Sequence, residues 1–163
     1  MARYLSLLVS FYLFGCNLNS EQLVNIDKYT FDEIKFNAVS KNLSFDNLDI
    51  DTNTDVNIAK KVIQNWFDSK IKTDGLEGKL NVVVDPIKIK KTKYDEYYKF
   101  EINLSMKFFE INKILNSEKV YKVNSIEFGE IKGSFTIKDQ DNLNINIIRK
   151  SLDNIGKKLI SIN

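Results

Sequence analysis

The chain has 163 residues, 43% of them hydrophobic and 28% charged, and its 24 basic and 22 acidic side chains nearly cancel. That balance gives no electrostatic case for nucleic acid as a partner, and the hydrophobic share suits a folded domain with a core of its own. Histidine is absent and cysteine occurs once, which excludes imidazole catalysis and histidine ligation of zinc or copper.

The first sixteen residues read MARYLSLLVSFYLFGC. Arg3 supplies a positive start, Tyr4 to Phe14 an almost wholly apolar run, and Leu13-Phe14-Gly15-Cys16 a cleavage box. This order is that of a secretory signal peptide, and the run is shorter than the ~20 residues a membrane-spanning helix needs. The box resembles the bacterial lipobox, Leu-x-Gly-Cys, with Phe14 bulkier than the usual Ala or Ser. The resemblance implies cleavage before Cys16 and diacylation of its thiol, and Asn17 in place of Asp implies the outer membrane. A lone cysteine in a secreted domain cannot close an internal disulfide. Lipidation accounts for it; the alternative is a free thiol buried in an uncleaved apolar segment. With Cys16 spent on lipid, thiolate catalysis and cysteine metal sites are excluded as well. The expected organisation is a signal peptide over 1–15, a lipid-proximal tether over 16–30 and one domain over 31–163.

Along that domain, Ile34 and Phe36 alternate with polar residues, as do Leu43 and Phe45, and both segments read as short strands. A helix follows, capped by Thr54 or Asp55, with Ile58, Ala59, Val62, Ile63, Trp66, Phe67 and Ile71 in one apolar stripe. Gly75 is the expected left-handed stop. The period then changes to two: Leu80, Val82 and Val84 share a face, Pro86 marks an edge or a bulge, and Ile87 and Ile89 resume. From Tyr98 to Phe108, every second residue is apolar, the pattern of a half-buried antiparallel strand. After a loop at 112–118, the last strand shifts phase between Val123 and Ile126, and Gly129 and Gly133 suit bulges or a bend. A second helix, capped by Asp139 or Asp141, lines up Leu143, Ile147, Ile148, Leu152, Ile155, Leu159 and Ile160. Lys157 and Lys158 suit its negative end. The predicted class is α+β: a two-layer sandwich with an antiparallel sheet of four to five strands and two helices on one face.

Candidate sites are few. Lys88, Lys90, Lys91 and Lys93 form a basic ribbon that binds anionic lipid, lipopolysaccharide phosphates or an acidic partner if the four converge, and is otherwise a solvated edge. In a strand, Lys88 and Lys90 share one face and Lys91 and Lys93 the other. Trp66 anchors a pocket or packs in the core. Tyr94, Tyr97, Tyr98 and Tyr121 form a partner patch or serve structure separately. Asp95-Glu96 and Asp139-Asp141 suit turns and caps, and a calcium site at Asp139, Asp141 and Asn142 lacks the EF-hand spacing. No metal and no cofactor are expected.

With Cys16, the order of short strand, helix, three-stranded meander and final helix resembles the outer-membrane lipopolysaccharide-assembly lipoprotein (LptE type), a plug inside a partner barrel. The positions of Ala59, Trp66, Gly75 and Gly78 also look like those of small envelope lipoproteins. Both resemblances imply a non-enzymatic envelope component. The expectation is a lipoprotein held in the outer membrane by lipid on Cys16, facing the periplasm and bound to an envelope protein, with no nucleic-acid partner. The expectations from other classes are a carboxylate-dependent hydrolase and a purely structural lipoprotein.

Overall fold

Phe31–Asn163 forms one unit, and the computed structural model describes residues 33–46 and 56–162 of the chain. The signal segment, Cys16, the tether and the Thr54/Asp55 cap lie outside the described residues. The elements run β1 (Ile34–Phe36), β2 (Ser40–Phe45), α1 (Val56–Lys70), β3 (Ile71–Thr73), β4 (Lys79–Val84), β5 (Lys88–Lys93), β6 (Tyr97–Asn112), β7 (Ser117–Lys132) and α2 (Ile137–Ile162).

The class is α+β, as the periodicities imply, and the sheet is built around β6. That strand and β7 form a hairpin of sixteen residues a side with an unbroken register from Tyr97↔Lys132 to Asn112↔Ser117, about 50 Å long. β4 and β5 lie end to end along the other side of β6, both antiparallel to it. Between them, three residues (Asp85, Pro86, Ile87) oppose two on β6 (Leu104, Ser105), because Val84 pairs with Met106 and Lys88 with Asn103. This is the bulge that Pro86 announces. The extra residue keeps Val84 and Ile87 on one face, and both are fully buried.

β2 joins β4 in parallel, which the expected meander did not contain. The reason is the crossover: α1 and β3 carry the chain back to the end of the sheet where β2 began, so β4 starts there and runs the same way. β1 and β3 form a second, two-stranded parallel pair. Phe36 of β1 stacks on Phe108 of β6, 5.8 Å between centroids, so the pair sits on the same face as the helices. The core fills this side, with Phe100, Ile102, Leu104, Met106 and Phe108 of β6 beneath Ile63 and Phe67 of α1 and Ile147, Ile148, Leu152 and Ile155 of α2.

The two helix ends differ from the expectation. α1 passes directly into β3, so Gly75 is no helix stop. The end is held by Lys41 of β2, whose ammonium donates to the carbonyls of Phe67 (3.1 Å), Asp68 (3.3 Å) and Ile71 (2.6 Å) and lies 4.6 Å from the centre of the Phe67 ring. Those of Phe67 and Asp68 are among the carbonyls a helix end leaves without partners. Burial lowers the Lys41 pKa, so desolvation offsets part of the gain. Lys41→Met, which keeps the stem and removes the donors, is expected to cost about 1–2 kcal/mol, measured by urea unfolding. Amide exchange should accelerate first at residues 69–72.

At the start of α2 the cap is Thr136. Its hydroxyl accepts from the Asp139 amide (3.2 Å), while the Asp139 carboxylate accepts from the Thr136 amide (2.9 Å) and hydroxyl (2.7 Å). Asp139 thus closes a reciprocal capping box from inside the helix. Ile160 is exposed rather than part of the buried stripe. Gly129 makes no bulge: a Cβ there would meet Leu143 Cδ1 at 2.6 Å and Ile147 at 3.2 Å, so its missing side chain lets α2 lie close on β7.

Candidate functional site

β5 is an edge strand of the sheet, and the lysine ribbon is divided by its pleat. Lys88 and Lys90 face away from the helices, where Lys90 stands opposite Glu101. Lys91 and Lys93 face the helix side. Lys91 is held in a box of three rings, its ammonium 4.9 Å from Tyr98, 5.3 Å from Phe100 and 4.8 Å from Phe135, and it donates to Gln140 of α2 at 3.4 Å. Each such contact is worth ~0.5–1 kcal/mol at a partly exposed site. Lys91 therefore ties β5 to the start of α2, and the four ammonium groups do not converge.

The larger surface is the sheet face that no described element covers. It carries Ser40, Asn42 and Ser44 of β2, Asn81 and Val83 of β4, Lys88 and Lys90 of β5, and the odd-numbered residues of β6 with their even-numbered partners on β7. Ile126 (56% exposed) and Phe128 (54%) stand on it among these polar groups, with the Lys99 ammonium 4.4 Å from the Phe128 ring centre. Val120, also exposed, stands beside Phe109 at the other end of the row. The phase change between Val123 and Ile126 is thus an alternation of faces on a regular strand. Val123 points into the core, and Ile126 and Phe128 point out. Large apolar groups on a wet sheet face are the sequence signal of this surface, and the register of β7 runs through it without a bulge.

One ion pair stiffens the same face. Lys107 Nζ lies 2.7 Å from Asp85 Oδ1, and Ser105 Oγ donates to Asp85 Oδ2 at 2.9 Å, so β6 clamps the bulge from the open side. Burial raises the Asp85 pKa. The hydrogen bonds from Lys107 and Ser105, together with the charges of Lys107 and Lys122, outweigh it and hold the carboxyl below its ordinary value. A carboxyl whose folded pKa is depressed contributes stability that is present above its unfolded value and lost as pH falls through the folded one. Asp85→Asn is therefore expected to cost about 1 kcal/mol at pH 7. The gap in Tm between variant and wild type should close as pH is lowered below the ordinary aspartate range.

The outer edge of β7 is partly guarded. The Ser105 carbonyl accepts from the Asp85 amide, so the polar groups of its partner Asn124 point to the free edge of β7. There Lys158 of α2 donates to the Asn124 carbonyl at 2.7 Å, and Asn154 donates to Glu127. Lys158 is thus spent on the strand edge, not on the helix dipole.

The remaining candidates disperse. Trp66 packs partly buried against the core. Tyr94 and Tyr97 stack at 4.6 Å in the β5–β6 turn, Tyr98 packs edge-on to Phe135, and Tyr121 packs on Phe36, so they form no single patch. Asp139 is taken up by the capping box with Thr136, and the described residues hold no group of three His, Cys, Asp or Glu arranged for a metal ion. Among the described residues, no helix is long and apolar enough to cross a membrane.

No family model matches the chain, and no curated protein matches its sequence. The fold is similar to that of a rare lipoprotein B from Shewanella oneidensis, with a TM-score of 0.48 and 10% identity over 76% of this chain and 95% of that one. It is also similar to that of a minor lipoprotein from Acinetobacter baumannii, with a TM-score of 0.51 and 4% identity over 74% of this chain and 89% of that one. At that identity the likeness is one of fold: this α+β sandwich is an architecture that a solved lipoprotein also has.

Proposed function

We propose that the protein is a non-enzymatic lipoprotein of the cell envelope, anchored by acyl chains on Cys16 and facing the periplasm from the outer membrane. In this reading it works by holding an envelope protein against the sheet face that no described element covers. The observation that carries the binding role is the pair Ile126 and Phe128, each more than half exposed on a rigid strand and flanked by charged and polar residues. An exposed apolar group rimmed by polar ones suits a protein contact. The anchor is supported by Leu13-Phe14-Gly15-Cys16 and by the fold shared with a minor lipoprotein. The narrower reading, a lipopolysaccharide-assembly lipoprotein seated in a barrel, is favoured by the element order of helix, long antiparallel strands and final helix.

The test is a photo-crosslinking residue at position 128 in the envelope, with Cys16→Ser as the paired variant. The expected result is one dominant crosslinked envelope protein, reduced by Ile126→Lys, and a wild-type amino-terminal peptide carrying the diacylglyceryl mass. A wild-type amino-terminal peptide without the diacylglyceryl mass overturns the anchor. An uncrosslinked position 128 overturns the binding face.

A further inference from the structure

Four large aliphatic side chains from three separate segments lie exposed at one end of the sheet. Ile114 and Leu115 form the tip of the β6–β7 hairpin and are 73% and 72% exposed; Leu76, between β3 and β4, is 94% exposed, and Val39, before β2, is 61% exposed. The register places them together. Ser40 stands opposite Lys79 and Lys79 opposite Ile111, so β2 and β4 begin one residue pair short of the hairpin turn.

The backbone holds the three segments to one another. The Val39 amide donates to the Gly78 carbonyl (3.2 Å), and the Gly75 amide to the Ala38 carbonyl (3.1 Å). Gly78, at φ +86°, lies so close to the hairpin that a Cβ would stand 2.8 Å from the Ile111 carbonyl. In the turn, Asn112 Oδ1 accepts from the amides of both Ile114 and Leu115 at 3.0 Å, which fixes the loop that displays them.

We infer that this end of the sheet is a second membrane contact, in which Val39, Leu76, Ile114 and Leu115 enter the boundary between headgroups and acyl chains of a phospholipid bilayer. Three observations favour lipid over protein. The four groups are all aliphatic, with no Trp, Tyr or Arg among them, whereas the energetic centres of protein interfaces are rich in those three and poor in Leu and Val. They project from turns and a strand start rather than lining a groove. Lys113 is the one charged residue of the hairpin turn, with Lys79 and Lys119 close behind it, at the depth where anionic phosphates lie when aliphatic side chains enter the boundary. Glu77 and Glu118 stand at the same end, so the contact is mainly apolar.

The choice of a bilayer rests on the anchored reading, and the chain length agrees with it. The segment from Cys16 to Glu33 reaches at most about 60 Å, which lets this end meet the membrane that holds the acyl chains.

The experiment places a tryptophan at the tip. Leu115→Trp is made in a Trp66→Phe chain, purified from the envelope and reconstituted in vesicles of phosphatidylethanolamine and phosphatidylglycerol with brominated acyl chains. Ile137→Trp, exposed at the opposite end where α2 begins, is the control. The expected result is quenching at position 115 roughly threefold or more above that at 137, because bromines quench only a ring that reaches the acyl boundary. Equal quenching at the two positions overturns the proposal, as does protection of the indole at position 115 by a co-purifying protein. The mass of the amino-terminal peptide is read separately, so a chain that is acylated but unquenched at 115 refutes the tip and leaves the anchor standing.

Discussion

Replacing Phe108 by alanine is expected to lower stability by about 3–5 kcal/mol, the range for removing a fully buried aromatic side chain. Phe108 sits where the two layers and the small parallel pair meet. It is fully buried, stands between Val82 of β4 and Tyr121 of β7 in the sheet, and stacks on Phe36 at 5.8 Å with the rings 5° from parallel. Phe36 is also met edge-on by Tyr121 at 6.1 Å. A void at position 108 therefore loosens β1 as well as the sheet, and partial collapse is opposed by strands on both sides. Calorimetry should show a fall in Tm of roughly 10–20 °C for a domain of this size. Adding Phe36→Ala should cost less than the sum of the two single changes, because the pair shares one contact.

Gly75→Ala is expected to cost about 3 kcal/mol, at the upper end for an overpacked site. A methyl group there would run into Asn37 Oδ1 and stand 2.6 Å from both the Asn37 carbonyl carbon and the Ala38 nitrogen. The last two of those atoms are backbone and cannot swing aside. The segments at 37–38 and 74–75 would have to part. That movement breaks the bond from the Gly75 amide to the Ala38 carbonyl and the one from the Asp74 amide to the Phe36 carbonyl. Chemical denaturation measures the loss, and amide exchange at residues 34–39 and 71–75 should rise while α2 stays protected. A second consequence bears on the proposed membrane contact, because these bonds also seat Val39 and Leu76 beside the hairpin turn.

The proposed contact surfaces were only partly visible in the sequence. The lysine ribbon attracts attention as a run of like charge, yet a strand sends alternate residues to opposite faces, and Lys91 ends in a ring box completed by Phe135 from beyond β7. Ile126 and Phe128 read as a fault in an otherwise regular pattern. Their meaning depends on which face of β7 receives the helices, and that is decided by α2 packing over Gly129. The tip residues Leu76, Ile114 and Leu115 carry no periodic signal at all, since they lie in turns.

What the sequence determined by itself is local. The alternation from Tyr98 to Phe108 made β6 a half-buried strand, the stripes of α1 and α2 followed from 3.6-residue spacing, and Pro86 imposed a bulge because it has no amide to donate. Each depends on residues a few positions apart, and together they specified the α+β class. Only the tertiary structure decided that β2 and β4 run parallel, that Gly75 makes room for a crossing chain instead of ending α1, and that Lys41 ends it from 26 to 30 residues away. The physical reason is that crossover direction, close backbone approach and carbonyl capping all depend on which distant segments come to lie side by side. Residue spacing along the chain does not encode that.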